Sequence, residues 1–193
     1  RALRGGRRAR TGARRMEDQN PIIQGLNQLM TANGYNLYKD TNRARADDLL
    51  VRQKVSGLLG DTANRLAAMA SDYRRTCMPP STREHPFPSD EAMAPMRQME
   101  SLKGKLSTLS STVRGLPVPT ADRTWAKFRS EKDLLNQLLM CDYELIRTIQ
   151  SVSDTVDGHS APTWTLGDGH QVETLLGQFE QQLRHRQMLL QSS

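Results

Sequence analysis

Apolar residues recur along this chain at intervals of three and four, the spacing that gives a helix one oily face. The longest such pattern runs from Thr120 to Asp157. Within it Leu135, Leu138, Leu145, Ile149, Val152 and Val156 keep a 3-4 heptad spacing, and Asp142 fills the one place left among them. The pattern predicts a single helix of about 38 residues, reaching about 55 Å at about 1.5 Å per residue. Its seam needs burial against other helices, and each seam residue contributes about 1.5–3 kcal/mol when fully buried. Asp142 admits two readings. It can be partnered inside a bundle, where a buried polar residue fixes register. More simply, a small rotation of the helix turns Cys141 inward and leaves Asp142 at the rim. The second is the expectation.

The same period predicts the other elements. Asn20-Pro21 is a helix start, with Asn as N-cap and Pro at the first helical position. Ile22, Ile23, Leu26, Leu29 and Met30 then share a face, and Asn33-Gly34 is a stop signal. Tyr35-Asn36-Leu37-Tyr38 is short and apolar, and is expected to tuck back onto the body as a turn or a brief extended piece. A second, longer helix is expected over residues 40–75. Its stripe is Val55, Leu59, Thr62, Leu66, Met69 and Tyr73. Gly57 and Gly60 weaken its middle by up to about 1 kcal/mol each relative to Ala. They read as tolerated glycines in a packed helix.

Proline ends that element. Pro79, Pro80, Pro86 and Pro88 fall in a linker over residues 76–89, because each removes a backbone donor. His85-Pro86-Phe87-Pro88 reads as a stiff crossover, with a partner-docking peptide as the second reading. Ser89 is the next N-cap, followed by Asp90 and Glu91, which suit the positive end of a helix. Met96, Met99, Leu102, Leu106, Leu109 and Val113 form one stripe, read as core. Gly115-Leu116-Pro117-Val118-Pro119 stops it. The last helix is expected over residues 172–190, where Val172, Leu176, Phe179, Leu183 and Leu190 align and Arg186 fills the gap. Arg184, His185 and Arg186 read as a solvated turn matched to the helix dipole.

Candidate chemistry is sparse. Asp157-Gly158-His159 and Asp168-Gly169-His170 repeat a tripeptide, but Asp-Gly is ordinary turn chemistry and no local metal-ligand spacing is present. Asp47-Asp48 falls at a predicted helix start, where the dipole accounts for it. Trp164 lies in a polar loop; such an indole packs back onto the body or anchors a partner. The sequence holds no Gly-rich phosphate loop, nucleophile elbow or His-Glu-x-x-His. The expectation is a non-enzymatic protein, with no catalytic, cofactor or metal residues and no small-molecule substrate.

Charge changes the picture at one end only. The formal net is +6, but residues 1–15 hold seven Arg and no acid, which leaves 20 basic and 21 acidic residues in the rest. The basic character belongs to the tail, so the pI is no argument for a nucleic-acid-binding body. The tail is expected to be disordered, with three readings open: a mitochondrial transit peptide, a nucleic-acid or nuclear-localisation patch, or translated sequence upstream of a start at Met16. The two cysteines, Cys77 and Cys141, lie far apart, which suggests a reducing compartment rather than a disulfide framework. No apolar run approaches the ~20 residues of a membrane span.

Leu26-Asn27-Gln28-Leu29-Met30 through Gly34-Tyr35-Asn36-Leu37-Tyr38, followed by a Leu/Val helix, resembles the N-terminal part of the afadin- and alpha-actinin-binding protein family. The resemblance implies a coiled-coil scaffold at centrosomes, centriolar satellites or cell junctions. That family continues into long uninterrupted coiled coil, whereas proline linkers cut this chain. No functional residue is carried over.

These readings converge on an all-α, elongated bundle of four principal helices plus a short N-terminal one, with coiled-coil character. Residues 1–15 form the tail, 16–39 a short helix and apolar turn, and 40–193 the bundle. The expected role is an adaptor, scaffold or subunit of a larger assembly, intracellular and cytoplasmic, with mitochondrial and nuclear alternatives left open by the tail. Partners are expected to be helical proteins, a second copy of the chain among them, with nucleic acid only through residues 1–15. The expected partner-binding residues are Leu135, Leu138, Leu145, Ile149, Val152, Trp164, Val172, Leu176, Phe179 and Leu183.

Overall fold

A computed structural model describes residues 21–30, 35–40, 43–80, 82–83, 87–119 and 122–191. Among them there are six α-helices, one short 3-10 turn and no strand. The helices are α1 (Pro21–Leu29), α2 (Ala44–Thr76), α3 (Asp90–Gly115), α4 (Asp122–Ser130), α5 (Lys132–Asp157) and α6 (Leu166–Gln191), with the 3-10 turn at Ala161–Thr163. The all-α expectation holds for these residues. The Arg-rich tail, Asn20, Asn33-Gly34 and His85-Pro86 lie outside them.

Local chemistry accounts for most boundaries. α1 opens on Pro21, whose missing N–H is one the first turn leaves unbonded in any case. α3 opens as expected, with the Ser89 hydroxyl accepting from Ala92 N at 3.2 Å. It closes at Leu116, whose extended backbone is what a following proline imposes. α6 starts six residues earlier than the apolar stripe suggests. There Thr165 N donates to Asp168 Oδ2 at 2.8 Å and Asp168 N donates to Thr165 Oγ1 at 3.3 Å, a reciprocal cap.

The single helix expected over residues 120–157 is instead two, α4 and α5, parted at Glu131. The seam itself supplies the reason. Carried backward from Leu135, its spacing lands on Glu131, then Phe128, then Thr124. Phe128 and Thr124 are buried and Glu131 is exposed. An unbroken helix would turn the Glu131 carboxylate toward the buried side, where desolvation penalises it. The backbone gives way at that residue instead, while Glu131 N still donates to Lys127 O at 2.9 Å.

The chain divides into two compact units that do not follow chain order. The first comprises the described residues within Arg1–Val51, Val118–Glu144 and His185–Ser193; the second comprises Arg52–Pro117 and Leu145–Arg184. In the second unit each helix buries one stripe: Leu59 and Leu66 on α2, Met99, Leu102 and Leu106 on α3, Ile149 and Val152 on α5, Val172 and Phe179 on α6. Polar ties cross between these stripes. Ser110 Oγ donates to Ser56 O at 2.9 Å, and Arg52 donates to the carbonyls of Leu116 and Pro117. The first unit buries apolar residues too, among them Leu26, Phe128 and Leu138, but sets a cluster of charge beside them.

Candidate functional site

Residues 35–40 form a strap between α1 and α2. Lys39 N donates to Asn36 O at 3.1 Å, closing a turn whose central residues, Leu37 and Tyr38, have φ of 56° and 57°. Positive φ at two successive side-chain-bearing residues is costly, and such turns ordinarily carry Gly or Asn. Two features hold it. Asp47, in the first turn of α2, takes the strap's backbone in both carboxylate oxygens: Asn36 N donates to Oδ1 at 2.9 Å and Tyr38 N to Oδ2 at 2.8 Å. Tyr38 itself is fully buried. Its ring stacks on Trp125 of α4, with centroids 5.6 Å apart and planes within 8°. Trp125 is fixed in turn, its indole N–H donating to Pro119 O at 3.0 Å.

The Tyr38 hydroxyl ends in a buried cluster of charge. It donates to Asp142 Oδ2 at 2.7 Å and accepts from Arg186 Nη2 at 3.1 Å. Arg186 Nε donates to Asp142 Oδ1 at 2.6 Å, and Nη2 donates to Asp48 Oδ1 at 2.8 Å. Tyr35 OH adds a third donor to Asp142, at 3.2 Å. Asp48 and Asp142 are fully buried and Arg186 is 2% exposed. The cluster therefore joins the strap, the start of α2, the middle of α5 and the end of α6, all within the first unit.

Burial shapes the proton affinities here. It pushes the Asp142 carboxyl up, against the downward pull of Arg186 and of the Arg186 and Tyr38 hydrogen bonds. Burial also raises Asp47, against its two backbone donors. Tyr35 and Tyr38 are pushed well above the ordinary phenol value by burial and then by the Asp142 charge, so both remain protonated donors at neutral pH. Burial lowers Arg186, but Asp142, Tyr38 and Asp48 together carry it well above its usual value. Cys141, next to Asp142, is raised to about 11, chiefly by burial. Its Sγ lies 3.7 Å from His185 Nδ1, and a thiol held protonated in that way is a poor nucleophile.

Three expectations are corrected by this cluster. Asp142 is not at the rim but fully buried, and Cys141 is buried beside it. Arg186 does not belong to a solvated turn; it is the centre of the cluster. Asp47 and Asp48 do more than match a helix dipole, since one clamps the strap and the other binds Arg186. Sequence reasoning passed over Tyr35, Tyr38, Asp47, Asp48, Asp142 and Arg186 as a group. The available signal was a pair of gaps: an acid interrupts one apolar seam, and a base interrupts another.

The ten expected partner-binding residues are not gathered at one surface. Leu135 is half-buried near the start of α5. Leu138 is buried in the first unit, and Leu145, Ile149, Val152, Val172, Leu176, Phe179 and Leu183 in the second. Trp164 is 4% exposed, and its indole N–H donates to Gln98 Oε1 at 3.3 Å. The repeated Asp-Gly-His residues meet in one pair and not as a cluster of four. His159 Nε2 lies 3.4 Å from Asp168, while His170 pairs with Glu173 and Asp157 faces Arg65. Among the described residues no group of three or more His, Cys, Asp or Glu is placed to hold a metal ion, and no helix is long and apolar enough to cross a membrane.

The chain matches no family model, and neither a curated protein nor a solved structure is similar to it.

Proposed function

We propose that this chain is a non-enzymatic helical adaptor, or a subunit of a larger protein assembly, that binds helical partners through side chains its own fold leaves uncovered. The observation that carries the reading is the set of large apolar residues outside the core. In the first unit these are Leu49 on α2, Met140 on α5 and Met188 on α6, exposed by 46%, 38% and 59%. Each lies on a helix whose other apolar residues are mostly buried. Exposed methionine suits a contact with a partner helix, because its unbranched, polarisable side chain fits itself to the opposing surface. The finer reading, four principal helices packed as a bundle with coiled-coil character, is part of the same proposal. So is a place in a cytoskeletal or centrosomal scaffold, which the sequence resemblance implies.

The test is the full chain against a variant carrying Leu49→Glu, Met140→Glu and Met188→Glu. Helical content by circular dichroism should be the same in both. The full chain should gain mass with concentration in light scattering, or co-purify with a defined partner, and the variant should lose this. A concentration-independent monomer whose recovered proteins are unaffected by the three charges would end the reading.

A further inference from the structure

The Tyr38 hydroxyl sits where a ligand would sit. Trp125 supplies a flat face, Asp142 an acceptor at 2.7 Å and Arg186 a donor at 3.1 Å. The groups around it do not depend on Tyr38 for their own pairing. Arg186 keeps Asp142 and Asp48 without it, and Trp125 keeps the Pro119 carbonyl. The strap that delivers Tyr38, by contrast, holds a strained conformation at Leu37 and Tyr38, and Asp47 takes its backbone at Asn36 and Tyr38. Release would return the strain and let water reach charges that burial now penalises.

We propose that Trp125, Asp142 and Arg186 form a phenol-binding socket filled by the chain's own Tyr38, so that residues 35–40 are a latch that lifts from a socket left standing behind it. The ligand class is a para-substituted phenol, of which a tyrosine side chain is the natural example. The stacked face takes the ring, Asp142 takes the hydroxyl hydrogen, and Arg186 donates to the hydroxyl oxygen. An alkylbenzene of the same shape would offer Asp142 Oδ2 no donor and Arg186 Nη2 no acceptor where the hydroxyl sits, and should bind worse.

Two measurements on the full chain decide it. In native-state hydrogen exchange of the wild type, the Asn36 and Tyr38 amides should exchange at least ~100-fold faster than the Leu138 and Leu139 amides, through a local opening insensitive to low denaturant. In a Tyr38→Gly variant, p-cresol should raise the thermal midpoint in proportion to the logarithm of its concentration, and toluene at equal concentration should raise it less. Neither compound should shift the wild type. Equal exchange of the two amide pairs overturns the latch. Toluene matching p-cresol overturns the socket, and if the variant does not fold, the exchange measurement stands alone as the decision.

Discussion

Arg186 reaches two acids at once, Asp142 at 2.6 Å through Nε and Asp48 at 2.8 Å through Nη2, with its side chain 3% exposed and theirs not at all. Taking these ions from water costs several kcal/mol each, and their mutual attraction returns that only when geometry and hydrogen bonds are both good. The pairing is thus a weak source of net stability and a strong source of register. It holds α2, α5 and α6 of the first unit at one offset, because a slip along any of them strands a buried charge.

This predicts an asymmetry between partial and complete removal. Arg186→Ala alone should lower the unfolding free energy by about 3–5 kcal/mol, since it leaves two buried carboxylates without their cation, and Asp142→Ala should cost less, because Arg186 keeps Asp48. Replacing Tyr38, Asp48, Asp142 and Arg186 together by Phe, Leu, Leu and Met should cost far less than the sum of the single changes. Urea denaturation followed by circular dichroism measures both. A quadruple variant as damaged as the sum would show that the charges hold the unit together rather than align it.

The pH dependence follows from two groups of carboxyls with opposite shifts. Asp47 and Asp142 are raised by burial, so the folded chain binds more protons than the unfolded one between about pH 4 and their raised values. Their contribution to stability therefore falls as pH rises through that window and is level above it. Asp168 is lowered, first by the Thr165 hydroxyl, and Glu173 is lowered, first by Lys105. Their contribution is complete above about pH 4 and is lost as pH falls through their folded values. A stability-against-pH curve should lose its acid limb in part on Asp168→Asn, and should flatten above about pH 4 on Asp47→Asn. Identical curves for all three proteins would contradict both assignments.

How much of this was legible depended on whether a residue obeyed the period of its helix. The stripe Met96, Met99, Leu102, Leu106, Leu109 and Val113 was read as core because every member is apolar and lies on one face, and all but the half-buried Leu109 are buried. Asp142 and Arg186 broke the period, and each taken alone was more simply placed in water. Only the two together, an acid gap facing a base gap, carry the information, and which helices face each other is set by the fold rather than by either helix. The break at Glu131 was within reach, since extending the seam backward puts a carboxylate in it. The strap was not, because nothing in Leu37-Tyr38 signals positive φ; it comes from Asp47, nine residues beyond Tyr38.

The two thiols should separate cleanly. Cys141 is 3% exposed and its thiol is raised to about 11, whereas Cys77 is half-buried just past the end of α2. At neutral pH a thiolate-selective reagent should modify Cys77 first, and Cys141 only on the timescale of opening or unfolding. Peptide mapping by mass spectrometry after timed iodoacetamide exposure gives the order. Equal rates would mean that the Cys141 environment opens freely in solution.

The last prediction concerns a glycine whose effect should change sign with its neighbour. A Cβ on Gly169 would fall 2.0 Å from the Gln98 side-chain amide. That amide is in use, with Nε2 donating to Leu166 O at 3.1 Å and Oε1 accepting from the Trp164 indole at 3.3 Å. Gly169→Ala should displace it and forfeit about 1 kcal/mol per hydrogen bond, more than the helix gains by losing a glycine. In a Gln98→Ala background the obstacle is gone, and only the gain from alanine remains. Gly169→Ala should therefore destabilise the wild type and stabilise the Gln98→Ala variant by up to about 1 kcal/mol. The double-mutant cycle is read by thermal or urea denaturation, with Trp164 fluorescence reporting the lost indole bond. Additive effects of the two substitutions would show that the amide does not rest on Gly169.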